Sequence, residues 1–319
     1  MQDTKTPTET DLDGLTWDSW CARLDDVAGE DGFAERLGDD HLAAFIEKGP
    51  VLLVSFESHA AICARSQAAQ PFGWPLLDAL GWSQLSLVSN GDTWFRERHV
   101  YGFFDRLIDD GFFEDFEQVI FYGAGPGGYA AAAFSVAAPG ARVLALQPQA
   151  TLDPRVAEWD DRFYDMRRED FTSRFGYAPD MLDAAERAVV IYDPEDDLDA
   201  MHAALFTRAN VARVRARFLG PDLEASLLKM QVLYRMLAQL SSGKLDTVGT
   251  ARLLRARRAF AAYQFTLLRH LLEHGRHKLV IMLCNSVLQR RNAPPFRKAF
   301  NAAMAALEVQ DPPGDAKAG

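Results

Sequence analysis

Residues 118–129, QVIFYGAGPGGY, decide the fold of this chain. They begin with an apolar run that is typical of a buried strand, and the glycine-rich segment Gly123–Gly128 forces a sharp turn after it. From Tyr129 to Ala138 the small residues then favour a helix. The stretch therefore predicts a strand, a tight elbow at Gly125 and a helix.

The same turn spells G-x-G-x-x-G at Gly123, Gly125 and Gly128, a spacing that lets backbone amides at a helix start approach a pyrophosphate. It resembles the FAD-binding turn of flavoproteins of the lipoamide dehydrogenase type, so an FAD- or NAD(P)-binding oxidoreductase is one interpretation. Such a fold also expects an acidic residue after the next strand, where it holds the ribose hydroxyls. Here the strand at 142–146 is followed by Gln147-Pro148-Gln149. We therefore expect no bound cofactor.

Composition indicates a globular protein, because 48% of the 319 residues are hydrophobic and 11% are aromatic. Its three cysteines, Cys21, Cys63 and Cys284, have neither metal-binding nor redox spacing and are expected to be buried thiols. The N-terminus is polar and acidic, and no apolar run reaches the roughly eighteen residues of a membrane span. The sequence therefore predicts a cytoplasmic protein that makes no membrane contact.

The net charge of −11 is distributed unevenly along the chain. Residues 251–300 contain eleven Lys or Arg and the single acid Glu273, so this window carries +10 and the rest of the chain carries −21. Such a window would suit nucleic acid, but it lacks interleaved aromatic residues and any recognised binding module. A basic helical face packed on the chain's own acidic body is the favoured interpretation, and nucleic acid is the alternative.

Strand and helix signals alternate through the middle of the chain. This alternation predicts right-handed crossovers and a doubly wound, mainly parallel sheet of the α/β class, followed by an all-helical C-terminal appendage. The expected strands lie at residues 51–56, 84–89, 118–122, 142–146, 188–192 and 211–218.

The predicted organisation has five parts. We expect a disordered tail at 1–14, N-terminal helices at 15–48, the α/β domain at 49–240, a basic helical region at 241–308 and a tail at 309–319. Helices are expected after the last strand at 222–240, 248–274, 277–290 and 296–308.

This order of elements, with the elbow after a central strand, resembles the α/β-hydrolase superfamily over residues 51–240. Members of that superfamily place a nucleophilic serine in a G-x-S-x-G elbow, an acid after a later strand and a histidine after the last strand. In this chain the nucleophile position is Gly125, the acid position is Asp193, and the histidine position falls in Leu219–Asp222, where Asp222 stands instead. The resemblance therefore implies a hydrolase-like fold with a degenerate triad.

Acyl transfer needs an oxygen or sulfur nucleophile and a general base. Gly125 and Asp222 stand at those two positions, so the sequence predicts a non-catalytic binding or interaction protein. The expected ligand is a small anion or carbonyl compound held by the elbow amides, or a protein partner. His202, placed to face Asp193, is the candidate residual base, and a hydrolase or acyltransferase with a relocated site is the alternative. The predicted cleft consists of Ser55, Ser58, Gly123, Ala124, Gly125, Pro126, Gly127, Asp193 and His202.

Three further motifs are interpreted as structural. His270 and His274 match the zinc-binding spacing H-x-x-E-H, but basic neighbours surround them and no third ligand follows. The acidic segment 193–199 is expected to cap the next helix. Cys284 lacks the Glu-Cys-Gly context of phosphoadenosine phosphosulfate reductases, so the motifs do not support that activity. We therefore expect no metal site.

Overall fold

A computed structural model describes residues 9–29 and 32–310 of the chain. The chain divides into two compact units. The larger contains the residues up to Arg217 together with Pro221–Leu254, and the smaller contains Phe218–Gly220 together with the residues from Arg255 onward. The predicted bounds of the α/β domain at 49–240 and of the basic helical region at 241–308 stay predictions.

The larger unit is built on one eight-stranded sheet. Its strands are β1 (Gly32–Arg36), β2 (His41–Ile46), β3 (Val51–Ser58), β4 (Ser83–Ser89), β5 (Gln118–Ala124), β6 (Arg142–Leu146), β7 (Arg187–Tyr192) and β8 (Val211–Arg215). Their order across the sheet is β1-β2-β4-β3-β5-β6-β7-β8. Strand β2 is antiparallel to both of its neighbours, and all other pairs are parallel. The predicted α/β class with a mainly parallel sheet is confirmed.

Helices connect the strands and follow the last one. In the larger unit they are α1 (Trp17–Ala28), α2 (His59–Arg65), α3 (Trp74–Leu80), α4 (Arg98–Asp109), α5 (Pro126–Phe134), α6 (Pro154–Ala157), α7 (Ala178–Met181), α8 (Asp197–Leu205), α9 (Leu223–Lys229), α10 (Leu233–Ser241) and α11 (Thr247–Leu253). In the smaller unit they are α12 (Ala261–Glu273), α13 (His277–Leu288) and α14 (Pro294–Gln310). Short 3-10 turns lie at Phe112–Asp115, Ser135–Ala137, Tyr164–Arg168, Leu182–Ala184 and Leu254–Ala259.

Two hydrophobic layers bury the opposite faces of the sheet. Strand β2 shows the division, since Ala43 and Phe45 belong to one buried cluster while Leu42, Ala44 and Ile46 belong to the other. Successive side chains of a strand point to opposite faces, so a strand between two layers is apolar at every position. This sandwiched position explains why β2 is buried along its whole length.

The prediction of helices throughout residues 15–48 is wrong after α1. A hairpin turning at Gly38, which has φ of +72°, joins β1 to β2 in place of the expected helix. The sequence HLAAFI at 41–46 contains only one β-branched residue and no alternation, so its pattern also suits a helix. Pairing with β4 decides its conformation.

The predicted tail at 1–14 is partly ordered. Residues 1–8 lie outside the described range, but Leu12 is 1% exposed and packs in the same cluster as Trp20. Its amide donates to the carbonyl of Ala68 at 2.9 Å. At the other end, α14 continues to Gln310, and the rest of the predicted tail at 309–319 also lies outside the described range.

Two of the long C-terminal helices predicted from the sequence are interrupted. The stretch 222–240 breaks because Gln231 adopts a left-handed φ of +57° and Val232 donates its amide back to Leu227, which closes α9 with a Schellman motif. The stretch 248–274 is divided by the 3-10 turn Leu254–Ala259. Gly275 ends α12 as expected, with φ of +62°.

The helix α5 fixes the elbow against the sheet. Its residues Ala130–Ala133 are completely buried, and the helix packs on β3, β5 and β6. Small side chains allow this close approach of a helix to three strands. The N-terminal end of α5 is therefore held rigidly where β5 ends.

Within the described residues, no helix is both long and apolar enough to cross a lipid bilayer.

Candidate functional site

The elbow at Gly125 is the structural centre of the candidate site. Gly125 has φ of +53° and ψ of −121°, a conformation that L-residues rarely adopt. A Cβ built on Gly125 would meet nothing within 4 Å, so the space above the elbow is open. The predicted strand, elbow and helix are present, and position 125 projects toward open space.

The flanking glycines are required by packing. A Cβ on Gly123 would lie 2.1 Å from the carbonyl oxygen of Gly127, and a Cβ on Gly127 would lie 2.2 Å from the carbonyl oxygen of Phe56. Both neighbours are backbone atoms, so neither can move aside cheaply. Gly123 and Gly127 therefore hold the turn together and face away from the open space.

The elbow amides expected to bind an oxygen are not available at the tip. Gly125 donates its own N–H to the carbonyl of Leu146 at 2.8 Å. Pro126 occupies the first position of α5 and has no N–H to donate. In α/β-hydrolases the residue after the nucleophile supplies one oxyanion-hole donor. Position 126 cannot supply that donor, so the expected contribution of the elbow amides is reduced at positions 125 and 126.

The acid position, Asp193, lies after β7 as the strand order predicts, but it does not line the cavity above Gly125. Asp193 directly follows β7 and is 4% exposed. Its Oδ1 accepts a hydrogen bond from the amide of Glu195 at 3.1 Å. The side chain thus takes part in stabilising the turn that leads into α8.

The imidazole of His202 is committed to a different carboxylate. His202 is completely buried in α8, its Nδ1 accepts from the amide of Ala150 at 3.2 Å, and its Nε2 lies 2.9 Å from Oδ2 of Asp160. The ring of Trp159 packs on it with a centroid distance of 4.5 Å. The expectation that His202 faces Asp193 across the cleft is therefore wrong.

The two serines of the predicted cleft have structural partners. Ser55 is completely buried, accepts from Nε2 of Gln84 at 2.8 Å and donates to Oε1 of Glu57 at 3.4 Å. Ser58 caps α2 by accepting from the amide of Ala61 at 3.2 Å. Neither side chain lines the cavity above the elbow.

A cavity of about 310 Å³ lies above Gly125. It includes four residues that the sequence analysis singled out, namely Ala124, Gly125, Pro126 and Asp222. The other lining residues were not predicted from the sequence as part of the cleft: Gln147, Gln149, Arg162, Phe163, Asp196, Asp199, Pro221, Leu223 and Glu224. Of the predicted cleft, Ser55, Ser58, Gly123, Gly127, Asp193 and His202 stay outside its lining.

Gln147 organises one wall of the cavity. It follows β6 with a φ of +48°, donates its Nε2 to Oδ2 of Asp199 at 2.7 Å, and accepts the amide of Leu223 on its Oε1 at 3.1 Å. The protein itself thus provides partners for both polar atoms of the side chain. A dinucleotide-binding fold keeps an acid for the ribose at this position. Gln147, which stands there instead, already uses both polar atoms of its side chain on protein partners.

Arg162 forms the centre of an ion-pair cluster on the same wall. Its guanidinium contacts Asp160 at 2.8 Å and Asp199 at 2.9 Å, and lies 3.7 Å from Asp196. Burial by itself favours the neutral carboxyl of Asp160, but hydrogen bonds from His202 and Arg162 hold its pKa well below the usual range. Burial raises the pKa of Asp199 despite the opposing hydrogen bonds.

A second network lies behind Glu224. The hydroxyl of Tyr122 donates to Glu224, and Arg65 lies 3.7 Å from Glu224 while it pairs with Glu57 at 2.6 Å. Glu57 also accepts the amide of Phe72 at 2.8 Å. Burial raises the pKa of Glu224. Glu224, in the first turn of α9, is thus a partly buried carboxylate held by Tyr122 and Arg65.

Gln149 differs from the other polar residues of the lining. It is 3% exposed, and its Nε2 donates to the carbonyl of Gln147 at 3.4 Å. Its Oε1 is buried and has no hydrogen-bond partner among the described residues. A buried acceptor without a donor is costly, so the unpaired Oε1 of Gln149 is a local loss of stability that the rest of the fold must offset.

The remaining motifs carry no assembled site. The ring centroids of His270 and His274 lie 4.2 Å apart in a tilted arrangement, and Nδ1 of His274 bonds the carbonyl of His270 at 2.8 Å. Across residues 9–29 and 32–310, no group of three or more His, Cys, Asp or Glu side chains is arranged to hold a metal ion.

The cysteines differ in exposure. Cys21 and Cys284 are buried as expected, and burial raises the pKa of Cys21 to about 11 and also raises that of Cys284. The expectation of a buried thiol is wrong for Cys63, which is exposed on α2 and lies 3.6 Å from Nε2 of His59.

We expect iodoacetamide to alkylate native protein at Cys63 alone, because access controls the reaction of the other two thiols. After alkylation at mildly alkaline pH, intact-mass spectrometry would then show one adduct. In concentrated guanidinium chloride, where the chain is unfolded, all three cysteines should react. Rapid modification of Cys284 in the native protein would contradict the burial described here.

The fold class follows from these elements: an α/β fold with one eight-stranded, mostly parallel sheet and additional C-terminal helices. No protein-family model matches the chain, and no curated protein matches it in sequence. Solved structures of esterases and peptidases are similar at low sequence identity.

Three solved structures illustrate the range of identity and coverage. An esterase from Pyrobaculum calidifontis is 16% identical with a TM-score of 0.42, covering 71% of this chain and 91% of the esterase. The acylaminoacyl peptidase of Pyrococcus horikoshii is 10% identical with a TM-score of 0.42, covering 67% of this chain but only 42% of the peptidase. A Glycosylation Associate Protein (Gap123) complex from Streptococcus agalactiae is 14% identical with a TM-score of 0.45, covering 68% of this chain and 48% of the other.

Proposed function

We propose that this protein is a binding protein on an α/β-hydrolase-like fold, and that the cavity above Gly125 holds a small ligand without acyl transfer. The observation that carries the proposal is the elbow itself. Position 125 projects into open space with a bare backbone, where the fold would otherwise present a nucleophilic side chain.

The general base is the second element that supports the proposal. An activating base must lie within hydrogen-bond reach of the nucleophile. The imidazole of His202 is completely buried, and both of its nitrogens contact other groups, the amide of Ala150 and the carboxylate of Asp160. It would have to leave both partners to act as a base at the elbow.

Stabilisation of an oxyanion is the third element. Preorganised donors aimed at the developing negative charge commonly supply a large part of the rate of acyl transfer. Gly125 uses its amide on Leu146, Pro126 has none, and four of the residues lining the cavity are carboxylates. An acidic lining would destabilise a developing oxyanion rather than stabilise it.

We expect the purified protein to hydrolyse p-nitrophenyl acetate and butyrate no faster than a heat-denatured sample. In a serine protease, removal of the nucleophile or the base costs on the order of a million-fold in turnover. A fluorophosphonate probe should likewise label no serine. Robust turnover that is lost in a Ser58→Ala or a His202→Gln variant would overturn the proposal.

We also expect the Gly125→Ser variant to remain inactive, because the base and the amide at position 126 are still missing. The double variant Gly125→Ser/Pro126→Ala restores that amide and is the matched comparison. It should also show no turnover, since no imidazole reaches the elbow. A thermal melt of each variant confirms folding, and new hydrolysis by the single variant would mean that a base lies within reach of position 125.

A further inference from the structure

We propose that the smaller unit binds the phosphate backbone of a nucleic acid through a cluster of cations at one end of its helices. This cluster, the basic end, consists of Arg255, Arg257, Arg258, Arg290, Arg291, Arg297 and Lys298. The inference is independent of the proposed function, because none of these residues lines the cavity above Gly125.

The order of the helices brings three basic segments to the same end of the smaller unit. Only three residues, 274–276, separate α12 from α13, and only five, 289–293, separate α13 from α14. Connections this short join antiparallel neighbours. The segments 255–258, 290–291 and 297–298 therefore lie where α12 begins, where α13 ends and where α14 begins.

Side-chain contacts hold the three segments together. Gln264, in the first turn of α12, is 4% exposed, donates its Nε2 to the carbonyl of Arg258 at 2.7 Å and accepts Nη2 of Arg291 on its Oε1 at 2.6 Å. The ring centroids of Phe265 and Phe296 lie 5.0 Å apart, which joins the start of α12 to the start of α14. The basic end is thus an ordered part of the unit.

Acidic residues are absent from the basic end. Residues 255–310 contain ten Lys or Arg and two acids, Glu273 and Glu308, so they carry a net charge of +8. Glu273 is the last residue of α12 and Glu308 lies in the last turn of α14, so both acids are at the opposite end of the helices.

The charges of the basic end are not neutralised within the smaller unit. Among its described residues, none of the seven cations forms an ion pair with a carboxylate. The 13 residues of α12 span about 20 Å, which is about twice the Debye length at 0.1 M salt. The distant acids Glu273 and Glu308 therefore do little to reduce the field at the basic end.

The type and exposure of these cations suit phosphate. Six of the seven side chains are exposed, and Arg257 is half-buried, with its guanidinium over the ring of Tyr263. Six of the seven are arginines, whose planar guanidinium can donate two parallel hydrogen bonds to phosphate oxygens. The N-terminal ends of α12 and α14, where the helix dipole is positive, lie at the same end.

The distribution of exposed apolar side chains favours nucleic acid over two other polyanionic partners. In the described part of the smaller unit the large exposed hydrophobic residues are Phe265, Leu272, Leu279, Met282 and Met304. All except Phe265 lie in the halves of the helices nearer the opposite end. A protein interface has an apolar centre, and binding to a membrane surface inserts apolar side chains beside the cations. Phosphate contacts need neither.

Fluorescence anisotropy with the full chain and a labelled, mixed-sequence, single-stranded RNA of about 20 nucleotides tests the proposal. DNA of the same sequence should bind with similar affinity, because the phosphates are common to both. Neutralising about six phosphates of a single strand gives a slope of about −4 for log affinity against log salt. Affinity should therefore fall about 300-fold between roughly 50 and 200 mM salt.

A triple variant connects binding to the basic end. Arg258→Gln/Arg290→Gln/Lys298→Gln removes one cation from each of the three segments. It should weaken binding at least about tenfold and make the salt slope shallower by about two. Circular dichroism checks folding, and if the triple variant does not fold, Lys298→Glu alone should still weaken binding at least about threefold.

A second triple variant is the matched control. Arg269→Gln/Arg276→Gln/Lys278→Gln removes the same two arginines' and one lysine's worth of charge, from the half of the unit that contains Glu273. Its affinity should differ from that of the native protein by less than about threefold, because screening limits the reach of the removed charges.

Four results would overturn the proposal. They are equal losses in the two triple variants, a salt slope shallower than about −1, and a preference of about tenfold or more for RNA or for DNA. The fourth is tighter binding, at the same salt, to polyglutamate or to phosphatidylcholine vesicles with about 30% phosphatidylserine. That result would assign the basic end to an acidic protein or to a membrane surface instead.

Discussion

The Gly127→Ala substitution is expected to cost about 3 kcal/mol of folding stability, because it forces a Cβ against backbone in a packed interior. The new atom would lie 2.2 Å from the carbonyl oxygen of Phe56. Gly123→Ala should be as harmful, since its Cβ would lie 2.1 Å from the carbonyl oxygen of Gly127. Each substitution must push α5 away from β3 or β5, and so removes a large part of a typical domain's stability of about 5–15 kcal/mol.

Gly125→Ala is the matched control for these variants. Its Cβ meets nothing within 4 Å, so the cost comes only from the backbone conformation, φ of +53° with ψ of −121°, and should be about 1–3 kcal/mol. Urea denaturation followed by circular dichroism would measure all three variants. A loss at position 125 that exceeds the loss at position 127 would show that the space above Gly125 is not open.

The Asp160→Ala substitution is expected to cost about 3 kcal/mol at neutral pH. The Asp160 side chain is completely buried, and its loss leaves the guanidinium of Arg162 and the imidazole of His202 without their shared partner. Asp161→Asn, a change at the exposed neighbour, should cost less than about 0.5 kcal/mol. Equal effects of the two variants in urea denaturation would contradict a structural role for this ion-pair cluster.

The cost of Asp160→Ala should also depend on pH. The pKa of Asp160 is depressed in the folded protein: burial raises it, but the hydrogen bonds from His202 and Arg162 outweigh burial. A depressed carboxyl pKa stabilises the fold above the unfolded value of about 3.9, and this contribution is lost as the pH falls toward the folded value. The difference between native protein and variant should therefore narrow as the pH falls below about 4. A constant difference down to about pH 2 would contradict this origin.

Much of the sheet was predictable because its strands are short apolar runs bounded by turns. The runs at 51–56, 118–122 and 142–146 correspond to β3, β5 and β6. The hairpin β1–β2 was not predictable in the same way, because HLAAFI at 41–46 owes its conformation to two covering layers and to its partner strand. A local sequence pattern identifies a strand when polar and apolar residues alternate or when β-branched residues are frequent. Strand β2 has little of either.

The elbow could be located from sequence, but most of the cavity could not. Glycine spacing identified Gly125, and the expected strand order brought Asp222 to the same rim. The partner of His202 is Asp160, 42 residues away in an irregular stretch where no periodicity constrains the side chains. Gln147 and Gln149 were noted only as departures from a cofactor motif, because residue type alone does not show which hydrogen bonds a glutamine makes.

Pro126 has a consequence for directed evolution of new activity on this scaffold. A library that varies only codon 125 retains Pro126 beside any hydroxyl that it introduces, and the ring nitrogen of Pro126 carries no hydrogen to donate. Selection for esterase activity from such a library would find no single-step winner, and productive lineages would have to replace the proline early. The order in which substitutions are accepted would thus be set by the backbone next to the elbow.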